Sequence, residues 1–295
     1  MRGLTRKSMT NLRVQLALIV VCVIAGQSIL AQVKRNSNLY RNIPAFGVVK
    51  LSFGGGMSYY LGDMRAKTNL RFIEPHLAVA LNYRLTERFS IRGEADLYRI
   101  SGKQAGGPIW YNNLSFRSDN PAGYLAIQVD AFKYSDENTL KPYIFGGIGV
   151  THINPKAKLE NKWYNLQPLM TEGVDYNQNP RISIVGIGMS WKYNDRWGFA
   201  IELSNNYANS DYLDDVSTVY PEPTGLSELA LKLSDRRPEL DPASLPAGYA
   251  PNNVAGNQRG NPKVKDAYGF LSLRAEYLIG TQARRAERRK LKCYY

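Results

Sequence analysis

Cysteine and histidine are scarce in this chain, two of each in 295 residues. Cys22 falls inside an N-terminal apolar run, which leaves Cys293 as the one cysteine of the processed chain. A disulfide scaffold is therefore excluded, and an odd cysteine in an oxidising compartment points to intermolecular pairing or a free thiol. The histidines, His76 and His152, have no serine beside them in a recognisable nucleophile setting. Either could act as a general base, but the expectation is a protein that is not an enzyme. Phosphate-cradling loops are also missing. GGG at 54–56 and FGGIG at 145–149 lack the lysine and the strand–loop–helix setting of a nucleotide site, and no cofactor is expected. Beyond the first thirty-odd residues no hydrophobic stretch is long enough for a spanning helix, so a membrane could be crossed only by strands.

The N-terminus reads as a leader. Arg2, Arg6, Lys7 and Arg13 precede the apolar run Val14–Val23, and a small residue at Ala31 suits cleavage, giving a signal peptide over 1–31 and a mature start near Gln32. Cleavage after Ser28 is the alternative. Val21 stands before Cys22 where a lipoprotein needs a small residue, so Cys22 reads as part of the apolar run. The 38 basic residues less the four of the leader leave 34, against 25 acids.

Alternation of period two is what the chain has in abundance. In FSIRGEADLY (89–98), Phe89, Ile91, Gly93, Ala95 and Leu97 share one face, while Ser90, Arg92, Glu94, Asp96 and Tyr98 share the other. Eight such segments fall near 46–60, 72–84, 88–101, 122–135, 140–153, 180–193, 197–209 and 266–279. Three connections, NYRLTERFSI, KYSDENTLKPY and WKYNDRWGF, are short; those between them, 61–71, 102–121, 154–179 and 210–265, are long. The expectation is an all-β fold, an eight-stranded antiparallel transmembrane barrel over 46–280, with short periplasmic turns and long extracellular loops. Tyr83, Phe89, Tyr134, Tyr143, Tyr193 and Trp197 would form the periplasmic aromatic girdle. A soluble sandwich would need two apolar inner faces. Here the face opposite the apolar one carries Arg92, Glu94, Asp96, Asp130, Glu202, Arg274 and Glu276, which is costly between packed sheets and tolerable in a polar lumen. Eight strands enclose little more than their own side chains, so these charges are expected to pair into a plug and not to line a pore.

Several segments carry two readings. Asp211, Asp214 and Asp215 in SDYLDDVS, with Glu172 and Asp175, could gather round Ca²⁺; the plainer reading is carboxylates accepting backbone N–H groups at a strand end, and no metal site is expected. His76 belongs with the inward positions and His152 near the outer end of a strand. The loop 210–265 is rich in proline, with LSELALKLSD (226–235) suited to one short amphipathic helix; it could dock a partner subunit or fold over its own barrel mouth.

The stretches GGGMSYYLGDMR (54–65), NLSFRSD (113–119), PYIFGGIGVTHINPKA (142–157), WYNLQPLMTEG (163–173) and SDYLDDVSTVYPEP (210–223) occur in that order. Together they resemble the PorG-type outer-membrane β-barrel family of Bacteroidota, the barrel component of the type IX secretion system. The resemblance implies a non-enzymatic barrel that anchors a periplasmic ring of PorK-like lipoprotein and PorN-like protein, in contact with outer-membrane lipids. A paralogous barrel with a structural or adhesive role is the alternative, and a lipid-modifying barrel enzyme a more distant one. Both termini would lie in the periplasm, with an N-terminal segment over 32–45 and a basic tail over 281–295. That placement removes nucleic acid as the partner of the tail. Arg284, Arg285, Arg288, Arg289, Lys290, Lys292 and Cys293 become candidates for partner binding, with Cys293 the candidate for an intermolecular disulfide.

Overall fold

The computed structural model describes residues 46–64, 73–134, 136, 139–194, 196–263 and 265–280. The leader, the segment 32–45 and the tail with Arg284, Arg285, Arg288, Arg289, Lys290, Lys292 and Cys293 lie outside the described residues.

Ten strands run in chain order among the described residues: β1 Val49–Leu61, β2 Glu74–Arg84, β3 Phe89–Lys103, β4 Ser115–Asp130, β5 Leu140–Thr151, β6 Pro155–Leu159, β7 Lys162–Asn165, β8 Arg181–Lys192, β9 Trp197–Ala208 and β10 Ala267–Gly280. Eight of them pair antiparallel in the order β3-β2-β1-β10-β9-β8-β5-β4, and pairing of β3 with β4 closes the ring. Closure satisfies the backbone groups that an open sheet would leave at its edges. The remaining two, β6 and β7, form a hairpin in the loop after β5 that adds to an outward extension of β4 through Arg117↔Lys156 and Ser118↔Pro155. One end of the barrel carries the short connections, where Val49 meets Gly280; the other carries the long loops. A short helix, α1 (Glu228–Ser234), lies in the longest loop, capped by the Ser227 side chain accepting from Ala230 N–H.

Solvation runs opposite to that of a soluble sheet. Outward residues such as Ile148 (73% exposed), Leu125 (66%) and Leu273 (64%) form an apolar belt, while inward Arg92 is 1% exposed. Water could not stably bound so much contiguous apolar surface; lipid acyl chains can. The chain is a closed eight-stranded antiparallel barrel of the outer-membrane kind.

Inward residues alternate large and small around the ring. Arg274 is flanked by Gly54 on β1 and Ala200 on β9, Arg92 by Ala126 on β4, and Glu202 by Gly188 on β8. The small neighbours leave the volume that the long side chains fill. Tyr134 and Tyr143 correct the girdle expectation. Tyr143 shares the inward parity of Lys141 and Phe145, and its ring lies across Gly188, where an added Cβ would stand 2.3 Å from Cζ. Tyr134 folds beneath the barrel mouth, 4% exposed, with the Arg84 guanidinium 4.5 Å from its ring. Tyr193, Trp197 and Phe89 do face outward at the turn end.

Gly147 tests the tightness of the wall. A Cβ there would lie 2.2 Å from the Leu125 carbonyl oxygen and 2.7 Å from Ala126 Cα, so backbone would have to move. Gly147→Ala is expected to break the β4–β5 ladder locally and to cut the yield of refolded barrel several-fold, read from the heat-modifiable band on cold electrophoresis. A wild-type yield would show that the ladder yields easily.

Candidate functional site

Three tiers fill the barrel from the turn end to the loop end. At the turn end Lys50 pairs with Glu276 at 2.9 Å, Arg84 pairs with Asp130, and Gln128 Nε2 donates to Asp130 Oδ1 at 2.8 Å. Lys141 Nζ donates to the Tyr134 carbonyl at 2.6 Å. The cavities left here measure about 40 and 10 Å³, room for a few waters at most.

The middle tier is a compact set of two arginines and two glutamates. Arg92 grips Glu202 bidentately at 2.7 and 2.9 Å and donates from Nε to Glu94 Oε2 at 2.5 Å. Arg274 Nη2 donates to Glu94, and its Nε sits 2.5 Å from Glu202 Oε2 without the alignment of a hydrogen bond. The Tyr143 hydroxyl donates to Glu202 Oε1 at 2.5 Å. Each of these five long side chains comes from a parity-matched inward position, so period-two reading named Arg92, Glu94, Glu202 and Arg274. It missed Lys50, Lys141 and Tyr143, whose strands begin beside irregular turn residues.

Above them Asp96 takes a different partner. His76 Nε2 lies 2.9 Å from Asp96 Oδ1, and its Nδ1 lies 3.0 Å from Ser272 Oγ. Ser272, His76 and Asp96 come from three strands and meet in the spatial order of a hydrolase triad, a serine that no linear motif marks. The ring of His76 is stacked on Phe270 at 3.8 Å, and all three polar side chains are buried, Ser272 and Asp96 at 2% and His76 at 1% exposure. Buried in this way, the set forms a hydrogen-bonded brace between β2, β3 and β10. His152 lies exposed past the end of β5, its Nδ1 2.9 Å from Asn179 Oδ1.

The third tier is the cap formed by the long loops. Arg259 is buried between Glu172 (2.9 Å) and Asp215, donating also to the Ser234 carbonyl at 3.2 Å. Glu172 in turn accepts from Ser217 N, Thr218 N and Thr218 Oγ1 at 2.9, 3.0 and 2.7 Å. Asp215 accepts from Tyr176 at 2.8 Å and from Thr171. Asp214 accepts locally from Val216 N at 2.9 Å, as the turn reading expects, while Glu172 and Asp215 reach across loops. Asp175 is taken by Gln167 at 2.7 Å. Among the described residues no group of three or more His, Cys, Asp or Glu side chains is arranged to hold a metal ion. Arg259 had no sequence signal, because it sits in a loop without period.

One contact in the cap fixes a proton. The Tyr60 hydroxyl is 2.7 Å from Asp214 Oδ2 and 2.6 Å from Asp266 Oδ1. A phenol has one hydrogen to donate, so the second carboxyl must itself carry a proton and donate back. Burial pushes Asp214 and Asp266 well above the usual carboxylate range, and lifts Asp211 to about 7 and Asp215 to about 6. Carboxyls whose folded pKa exceeds the unfolded value bind protons more tightly in the folded cap. The cap is therefore firmest at acid pH and weakens as pH rises from about 4, the unfolded value, through neutrality. A spin label at exposed Lys232→Cys, in a Cys293→Ser background, is expected to gain mobility between about pH 5 and about pH 8. An unchanged line shape over that range would contradict the assignment.

No protein-family model matches the chain, and no curated protein matches it in sequence. Solved structures similar to it include Neisserial surface protein A (11% identity over 78% of this chain and 96% of that one, TM-score 0.39). The outer membrane protein OprG of Pseudomonas aeruginosa (10%, 80% and 99%, TM-score 0.38) and Ail, the attachment invasion locus protein of Yersinia pestis (10%, 79% and 99%, TM-score 0.38), are others. With identities and scores this low, the strand pairing and the inverted solvation establish the barrel.

Proposed function

We propose that this chain is a plugged outer-membrane barrel that works as an anchor, without catalysis and without conducting solutes. The observation that carries this reading is the filled lumen: the paired arginines and glutamates pack it at 1–6% exposure, which points function to the two ends. The finer assignment, to the barrel component of the type IX secretion machinery, rests on the sequence resemblance. In that reading the loop end is extracellular and the turn end periplasmic. The tail beyond Gly280 then leaves from the turn end, where Arg284, Arg285, Arg288, Arg289, Lys290 and Lys292 would meet an acidic face of a PorK-like ring lipoprotein and Cys293 would bond to it. The folded cap favours a second reading, a structural or adhesive surface barrel, since it presents a built surface away from the membrane.

Deleting the gene and following export of proteins bearing the type IX sorting domain separates the two. The anchoring reading expects that export to fall at least tenfold, with the purified barrel electrically silent in planar bilayers. Normal export would sink the secretion assignment and leave the surface reading in its place. Steady single-channel conductance would overturn the plugged anchor itself.

A further inference from the structure

The loop end holds a concavity that the anchoring role does not use. We propose that it is a binding site for a neutral oligosaccharide, built where the β1–β2, β3–β4 and β9–β10 loops meet. Its volume is about 570 Å³, within the range of small-ligand sites.

Two tyrosines 138 residues apart in sequence form its aromatic wall. The rings of Tyr111 and Tyr249 approach to 4.6 Å between centroids, tilted by 53°. Tyr249 remains 44% exposed. Arg237 fixes this wall. It is only 6% exposed, donates from Nη2 to Asn112 Oδ1 at 2.8 Å and from Nε to the Tyr111 carbonyl at 3.3 Å, and its guanidinium lies 5.4 Å from both ring centroids. The aromatic pair is thus held in place before any ligand arrives, which lowers the ordering cost of binding.

Amides add to the lining. Asn252 and Asn257 stand exposed on the concavity. Each amide offers two donors and one acceptor oxygen, the complement of neighbouring sugar hydroxyls that donate and accept at once. The apolar C–H face of a pyranose suits the ring of a tyrosine, which joins an apolar body to a polar tip.

Charge decides against other ligand classes. Arg237 and Arg259 both line the site, but each directs its guanidinium to protein acceptors, Arg259 to Glu172 and the Asp215 carbonyl. Asp63, also on the lining, adds a carboxylate that accepts from Asn261 N–H. Among the described lining residues an anionic ligand would find no uncommitted cation, and an acyl chain would meet amides. A neutral polyhydroxylated chain matches what is left.

The test uses the full-length barrel in detergent micelles. It is screened on an array of neutral di- to tetrasaccharides of glucose, mannose and galactose, beside heparin-derived sulfated and sialylated oligosaccharides. The best neutral binder is then titrated by the fluorescence of Trp110, whose ring lies 6.3 Å from Tyr111. A neutral saccharide is expected to bind. Tyr249→Ala should weaken it about tenfold, the loss of a stacking contact, while Tyr249→Phe keeps most of the affinity. Asn252→Ala with Asn257→Ala should weaken it comparably. The heat-modifiable shift of each variant reports that the barrel is folded. Binding to the sulfated glycans alone, no binding to any glycan, or a Tyr249→Ala variant that binds a neutral saccharide as wild type does would each overturn the proposal.

Discussion

Replacing Arg92 with methionine is expected to destabilise the folded barrel by about 3–5 kcal/mol, the usual cost of removing one partner from a buried ion set. Arg92 is 1% exposed and makes three donations, two to Glu202 and one to Glu94. Without it, Arg274 alone would face two carboxylates, and one negative charge would stand uncompensated in a site with no room for bulk water. The loss should appear as a lower urea midpoint for unfolding in lipid, followed by tryptophan fluorescence, at unchanged slope. Charge, and not volume, is the proposed cause, so Arg92→Met combined with Glu202→Gln should recover part of the loss. A single-variant effect below about 1 kcal/mol, the range of exposed pairs, would mean that the four charges are solvated and that the lumen is open. That outcome would also remove the basis for a plugged anchor.

The second large effect is local. Arg259→Ala withdraws a buried guanidinium from Glu172, from Asp215 and from the Ser234 carbonyl, contacts that tie the β7–β8 loop to the β9–β10 loop. A cost of about 3–5 kcal/mol falls on the cap and not on the strands, because none of these partners is a barrel residue. The expected result is rapid protease cleavage between about residues 218 and 260 in a barrel whose unfolding midpoint is unchanged. Arg259→Lys should fail to restore protection, since an ammonium cannot match the planar fork that reaches three acceptors. Equal protease resistance in wild type and variant would show that the cap is held by its apolar contacts, chiefly Leu166 and Leu233.

How much of this was legible along the chain differs by tier. Period-two alternation placed Arg92, Glu94, Glu202 and Arg274 on inward positions, and the alternation of short and long connections placed all eight barrel strands. The same reasoning misplaced Tyr134 and Tyr143, because aromatic residues near turns suggest a girdle while parity and the space over Gly188 send Tyr143 inward. It began β4 near 122, seven residues late, since Ser115–Asn120 rises beyond the belt and pairs there with β3 and briefly with β6. It left the β6–β7 hairpin within a loop, because four or five residues are too few for a period to declare itself. Period two sets Ser272 inward in LSLRAE, but only the register of the strands brings it to His76.

Alternation is a property of neighbours along one strand, so inside and outside, membrane and lumen, are written locally and can be read from residues alone. Which inward charge meets which, whether a histidine finds a serine, and whether one arginine in a long loop becomes the keystone of a cap depend on register around a closed ring and on contacts between loops far apart in sequence. Those distances are set by closure of the barrel, which no single segment encodes.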